Sequence, residues 1–226
     1  MTSEDTSTRG IMHADDHADD HADGALTADA DYARRLQRLD ASRWRRVLNV
    51  QAPYRWNIRR LNLGRTLDIG SGLGRNLAHL DGNGVGVDHN AASIAIARER
   101  GLTAVTVDEF PDSGYAVPDS FDSLLLAHVL EHLSPEFGVE LISMYLPYLK
   151  PGGTVCIITP QERGYRTDAT HTTFVDFDGL AAVCTQLGLV ERRHYSFPLP
   201  RFAGKVFPYN EFVMVAAWPG EAPAAP

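Results

Sequence analysis

Nine consecutive residues, Thr66-Leu-Asp-Ile-Gly-Ser-Gly-Leu-Gly74, constrain this chain more than any other stretch of it. The aliphatic run Thr66 to Ile69 has the character of a buried parallel strand. It breaks into glycines at alternate positions, Gly70, Gly72 and Gly74, where a helical apolar pattern (Leu77, Leu80) begins. A second short strand, Val85 to Val87, ends in the carboxylate of Asp88. Strand, glycine turn, helix, strand and acid in this order describe half of a nucleotide site. Bare backbone lets a cofactor approach, and the acid grips the hydroxyls of a ribose.

The spacing decides which nucleotide. A dinucleotide turn reads G-x-G-x-x-G and seats a pyrophosphate on the helix N-terminus. Here the third glycine comes one residue early, and Asp68 places a negative charge in the turn. That charge opposes a phosphate and suits an ammonium or a sulfonium. A cofactor with a ribose, no phosphate and positive charge is S-adenosylmethionine (SAM).

At this point the chain resembles the class I SAM-dependent methyltransferases, whose first motif is E/D-x-G-x-G-x-G, matched by Asp68-Ile-Gly-Ser-Gly-Leu-Gly74. Asp88 matches the ribose-binding acid, and Asp108-Glu109 the position that faces adenine after the third strand. Phe121-Asp-Ser-Leu-Leu-Leu126 matches the fourth strand, and Leu149-Lys-Pro-Gly-Gly153 the turn before the fifth. The resemblance covers roughly residues 60–218. It implies a cofactor site built from Asp68, Gly70, Ser71, Gly72, Gly74, Asp88, His89, Asp108, Glu109 and Ala127.

From residue 66 onward strand and helix signals alternate. Strands are expected at 66–69, 85–88, 103–107, 121–127, 154–159, 190–197 and 211–218, and helices near 74–80, 91–100, 135–149 and 177–187. Alternation of this kind implies an α/β, Rossmann-like, seven-stranded and mainly parallel sheet with helices on both faces. No helix signal separates the last two strands, and an antiparallel last strand is the family's arrangement. The expected organisation is an acidic tail over 1–30, a helical N-terminal cap over 31–62, the methyltransferase domain over 63–218 and a Pro/Ala-rich tail over 219–226.

Charge supports that division. Residues 1–31 hold nine acids and one arginine, and residues 32–65 hold ten arginines and one acid, Asp40. The tail repeats His13-Ala-Asp-Asp, His17-Ala-Asp-Asp and His21-Ala-Asp-Gly, has no apolar face, and is expected to be disordered. Its histidines recur every fourth residue and could capture a transition metal. In the arginine-rich stretch Tyr32, Leu36, Leu39, Trp44, Val47 and Leu48 recur at mostly helical spacing, and Pro53 opens a second short helix. An acidic body argues against a large nucleic-acid footprint. Two cysteines, Cys156 and Cys184, form no disulfide framework. No apolar stretch is long enough to span a bilayer, and the acidic N-terminus is unlike a signal peptide, so a cytoplasmic protein is expected.

Chemistry is expected beyond the carboxyl ends of the strands. After the fourth strand comes His128-Val-Leu-Glu131-His132, and after the fifth a polar stretch containing Tyr165, Arg166, Asp168 and His171. Methyl transfer from a sulfonium is an in-line displacement, so the protein must align the acceptor and help remove a hydroxyl proton. His128, Glu131 and His132, at i, i+3 and i+4, would share one helical face and could converge on an ion. The ubiquinone-pathway O-methyltransferases and small-RNA 2′-O-methyltransferases carry a similar E-x-x-E-H there and hold a divalent ion with it. A later histidine of the RNA enzymes is matched by His171. The resemblance thus implies a divalent ion (Mg, Mn or Zn) on His128, Glu131, His132 and His171. His128 in place of the first glutamate weakens magnesium and suits zinc or manganese. Without an ion, His171, His128 or His132 would act as the base.

These features point to O-methylation of a small polar hydroxylated acceptor. The pattern is loosely similar to actinobacterial sugar and polysaccharide O-methyltransferases, so a sugar or oligosaccharide is favoured. Carbon methylation of the quinone-pathway kind, RNA 2′-O-methylation and a catalytically inactive SAM-binding regulator are the alternatives.

Overall fold

Strands β1 (Thr66–Ile69), β4 (Phe121–Ala127), β5 (Leu149–Pro160) and β7 (Glu211–Ala217) carry apolar stretches such as Leu124–Leu126, Val155–Ile158 and Phe212–Ala217, as strands covered on both faces must. The structure, a computed structural model, describes residues 51–220. The acidic tail of 1–30 with its His-Ala-Asp-Asp repeat, the arginine-rich stretch up to residue 50 and residues 221–226 lie outside the described residues. Completed by β2 (Gly84–Asp88), β3 (Ala104–Thr106) and β6 (Val190–Phe197), the sheet has the order β3-β2-β1-β4-β5-β7-β6. β1 to β5 run parallel, and β7 inserts antiparallel between β5 and β6. The expected fold class is therefore the one observed, with every expected strand present.

Six α-helices surround this sheet among the described residues: α1 (Ala52–Arg60), α2 (Arg75–His79), α3 (Ala91–Glu99), α4 (Pro135–Tyr145), α5 (Glu162–Tyr165) and α6 (Phe177–Gln186). Short polar side chains start three of them. Asn90, Ser134 and Asp176 accept hydrogen bonds from the amides of Ser93, Phe137 and Gly179. The helix expected over 135–149 ends at Tyr145, and Leu146–Tyr148 tighten into a 3₁₀ turn. Pro147 explains this, since it has no amide hydrogen and its ring crowds the preceding turn.

Alternation along the strands divides the core. Leu124, Leu126, Val155 and Ile157 pack on one side with Ile142 of α4 and Leu180 of α6. Leu125, Cys156 and Ile158 point to the other, where Ile58 of α1 covers them. Both cysteines are buried and unpaired. No helix among the described residues is long and apolar enough to cross a membrane. The topology carries β1, β4 and β5 to one rim side by side, and the side chains of interest gather there.

Candidate active site

The glycine turn is held against β2 by its own backbone. Gly70 and Ser71 donate to the Val87 carbonyl at 2.8 and 3.1 Å. Asp88, buried at the end of β2, accepts from the Gly72 amide (2.8 Å, Oδ2) and the Asn90 amide (2.8 Å, Oδ1). Each oxygen keeps a further lone pair, so the carboxylate retains capacity for two donors such as the hydroxyls of a ribose.

The glycines are not equivalent. Gly70 and Gly72 both have left-handed backbones, with φ of +70° and +52°. A Cβ on Gly70 would stand 2.5 Å from Cγ2 of Val129, whereas one on Gly72 would meet nothing within 4 Å. Gly70 therefore serves the protein's own packing, and only Gly72 borders open space that a ligand could fill. Gly74, which opens α2, likewise packs its α-carbon against Leu102. This corrects the expectation that the turn is bare for the cofactor throughout.

Asp68 sits beneath the turn, 1% exposed, and neither carboxylate oxygen has a hydrogen-bond partner. Burial and the neighbouring charge of Asp88 push its pKa up to about 7. Arg75 and the Asn76 amide, close but not hydrogen-bonded in ordinary geometry, pull it part of the way back. An unpartnered buried carboxylate is costly, and a cationic ligand would relieve that cost.

Other expected cofactor residues fall into two groups. Ala127 ends β4 at the rim, while His89 and Asp108 are exposed beside the ends of β2 and β3. Ser71 and Glu109 are turned to structural ends. The Ser71 hydroxyl lies 2.5 Å from where a Cβ on Gly86 would stand, so it faces β2. Glu109 caps its own turn, accepting from the Thr106 amide (2.8 Å) and Arg98 (2.6 Å), and these bonds lower its pKa. Glu109 has one oxygen so engaged, and the Ser71 hydroxyl is buried without a hydrogen-bond partner.

A cavity of about 270 Å³ lies over the carboxyl ends of β4 and β5. Tyr54, Asn57 and Ile58 of α1, Arg75 and Asn76 of α2, and Ala127, His128, Tyr209, Asn210 and Glu211 are among the residues that line it. The Tyr54 hydroxyl donates to the Tyr209 carbonyl at 2.6 Å, tying α1 to the β6–β7 connection. The Asn210 amide donates to Gln161 and Ser196, both at 2.9 Å, and so fixes the start of β7.

His128 corrects the sequence reading most. Residues 130–132 form a 3₁₀ turn rather than the expected helix, and His128 takes a left-handed backbone, φ +62°. Its amide donates to the Ile158 carbonyl. One ring nitrogen lies 3.0 Å from Glu131 Oε1 and the other 2.9 Å from Glu211 Oε1. Burial pulls the pKa of the ring down, but hydrogen bonds to the two glutamates outweigh it and raise the pKa to about 10. With both nitrogens occupied, His128 has no lone pair for a metal or a substrate proton, so it is neither the base nor a ligand.

His132 and His171 remain, with Glu131. One ligand atom from each of these three residues lies within 4.8 Å of the others. Glu131 is fully buried and its Oε2 has no partner. His171 Nδ1 is 2.8 Å from the Tyr165 carbonyl, so Nδ1 carries the proton and Nε2 presents the lone pair. Tyr165 stacks on the His171 ring, and the His132 ring meets it edge-on at 4.8 Å. Arg201 is held by Glu162 in a two-pronged ion pair. Asp168 caps its own turn at Thr170, and hydrogen bonds from the Thr170 amide and hydroxyl lower its pKa.

Residues 32–207 match the family model of a methyltransferase domain. The chain belongs to that family. The fold is also that of a SAM-dependent methyltransferase from Archaeoglobus fulgidus (20% identity, TM-score 0.58, covering 73% of this chain and 92% of that one). A Haloferax volcanii complex of a putative methyltransferase with its activator contains a similar chain (17%, 0.62, 86% and 97%). So does the N-methyltransferase NodS of Bradyrhizobium japonicum, solved with S-adenosyl-L-homocysteine (17%, 0.57, 80% and 91%). No curated protein matches significantly.

The protein is thus a SAM-dependent methyltransferase, an enzyme of the Rossmann-like class. Sequence reasoning did not single out Tyr54, Arg75 or Glu211 of this methyltransferase's cavity. Glu211 carried a legible signal, as an acid that opens the otherwise apolar strand Phe212–Ala217. The unlike glycines of the turn make a prediction. Gly72→Val is expected to weaken SAM binding at least roughly tenfold with a modest loss of stability, because its side chain enters open space at a strained φ. Gly70→Val should instead cost about 1–3 kcal/mol of stability through overpacking on Val129. Calorimetric titration and thermal melts of both variants check this.

Proposed function

We propose that this methyltransferase is an O-methyltransferase acting on a hydroxyl of a small polar acceptor, with a sugar or oligosaccharide favoured. His171 supplies the base. The observation that carries this reading is the fixed tautomer of His171, whose Nδ1–H is spent on the Tyr165 carbonyl and whose Nε2 keeps a lone pair, in a group with Glu131 and His132 that follow β4. A hydroxyl is a poor nucleophile while protonated, and a neutral imidazole is suited to take that proton near neutral pH. SAM would lie across the glycine turn, its ribose on Asp88 and its ammonium on Asp68, with the methyl group towards Ala127. The cavity lined by Tyr54, Asn57, Tyr209 and Asn210 suits an acceptor rich in hydroxyls and supports the choice of a polar substrate. Residues 63–218 would form the catalytic domain, and 31–62, of which α1 is the described part, a cap over the cavity. Transfer from SAM labelled with ¹³C in the methyl group, tested on a panel of sugars, alcohols and amines, examines the reading. A methyl carbon bonded to oxygen upholds it, and one bonded to carbon or nitrogen overturns it.

A second reading is favoured by the triad itself. Two imidazoles and a carboxylate are a ligand set for a divalent first-row metal, and Glu131 Oε2 is an unpartnered buried atom. His171 and His132 turn Nδ1 towards the carbonyls of Tyr165 (2.8 Å) and Thr170 (3.3 Å), as metal-binding histidines commonly do. Glu131, His132 and His171 therefore fit an ion, and His128 does not. Such an ion would lower the pKa of an acceptor hydroxyl. Dialysis against EDTA separates the readings. Unchanged turnover leaves His171 as the base alone, whereas loss of turnover restored by manganese or zinc places an ion on the triad.

A further inference from the structure

We infer that the Glu211 carboxylate faces the sulfonium of bound SAM and distinguishes the charged cofactor from its neutral product. Glu211 is the first residue of β7, paired with Pro160 at the end of β5, and it lines the cavity together with Ala127, the last residue of β4. Its side chain is only 11% exposed. His128 engages one of its oxygens at 2.9 Å, which fixes the group in place and leaves Oε2 outside that bond.

The local charge is negative by count. Glu131, His128 and Glu211 form a chain of two carboxylates sharing one imidazole. A neutral ring leaves two negative charges and an imidazolium leaves one, so the sign is the same either way. Arg75 brings a positive charge to the cavity wall, on the side of Asp68, the carboxylate placed against the cofactor's ammonium. His79, Tyr54 and Tyr209 are the other titratable groups in the lining. A fixed, mostly buried carboxylate such as Glu211 favours a cation over a neutral ligand of the same shape.

SAM presents such a cation, and the reaction removes it. When the methyl group moves to a hydroxyl oxygen, the S–CH₃ bonding pair stays on sulfur, a C–O bond forms and the hydroxyl proton leaves to a base. The sulfonium becomes a neutral thioether. Attraction to Glu211 is therefore present before transfer and gone after it, so SAM is held while S-adenosylhomocysteine (SAH) is released. The inference rests on SAM being the cofactor and is independent of the acceptor.

Calorimetric titration of the full chain with SAM, SAH and sinefungin tests it, sinefungin carrying an ammonium-bearing carbon in place of the methylated sulfur. The wild-type protein should bind SAM and sinefungin more tightly than SAH. Glu211→Gln should weaken SAM and sinefungin roughly tenfold, as expected of one unit charge acting through partly hydrated protein, and leave SAH within about twofold. Glu211→Asp, which keeps the charge, should keep the preference. Equal losses for all three ligands would make Glu211 a structural residue, and no change for any would remove it from the sulfonium. Should Glu211→Gln fail to fold, the wild-type comparison decides, because SAH binding as tight as sinefungin binding overturns the inference. A protein that binds none of the three would overturn the cofactor assignment instead.

Discussion

Replacing Asp68 by asparagine is expected to stabilise the ligand-free methyltransferase at pH 8 while weakening its hold on SAM. Asp68 is buried without a hydrogen bond, and burial and Asp88 raise its pKa from 3.8 to about 7. Between those values the folded protein keeps a proton that the unfolded chain has released. Stability contributed by this group is therefore greatest at low pH and is lost as pH rises from about 4 to about 7. Above that range the cost of the buried charge is on the order of 2–4 kcal/mol, since each pKa unit is worth about 1.4 kcal/mol. An amide carries no charge to bury, so the melting temperature of Asp68→Asn at pH 8 should rise by several degrees.

In the placement of SAM proposed above, the same substitution removes the counter-charge for the cofactor's ammonium. Truncating one partner of a buried charged pair costs about 2 kcal/mol or more, so SAH affinity should fall roughly 30-fold or more. Wild-type affinity should decline as pH drops below 7, where binding must first expel the Asp68 proton, and the variant should lose that dependence. A ligand-free variant that melts below the wild type would show that the carboxylate already has a partner. Unaltered SAH affinity would move the ammonium elsewhere.

Asp68 also marks how far the sequence is legible. Its place in the turn follows from local pattern, because an aliphatic run, three glycines and a helical repeat each restrict the backbone within a few residues. The strands at 66–69, 121–127 and 190–197 begin and end where their patterns do. What the pattern cannot carry is a partner distant in the chain. His128, Glu131 and His132 have helical spacing, yet the Glu131 carbonyl accepts from the amides of Thr172 and Thr173, and His128 is drawn to Glu211. Those contacts, some 40 and 80 residues away, outweigh a local helical tendency and hold the His128 ring between Glu131 and Glu211. Glu109 fails for the opposite reason. Its Oε2 accepts from the Thr106 amide, three residues away, and from Arg98, so a short-range cap engages the carboxylate expected to face adenine.

Substituting His171 by alanine is expected to lower kcat roughly 10²-fold or more, the usual worth of a general base. SAH affinity should stay within about twofold, since a base acts in the transition state and not on the cofactor. The geometry leaves few substitutes. His128 has both ring nitrogens engaged by carboxylates, and Glu131 is buried behind it. His132, whose ring packs on the edge of His171, is the only other imidazole in the triad. Added imidazole should restore part of the lost turnover in His171→Ala, because a small base can enter the space vacated by the ring. Restoration would not follow if the histidine served only to seat Tyr165, whose ring stacks on it. His132→Ala should cost less than His171→Ala on an acceptor that the enzyme methylates. A reversed order, with His171→Ala near normal and His132→Ala impaired, would transfer the base to His132 and leave His171 as the residue that orients it.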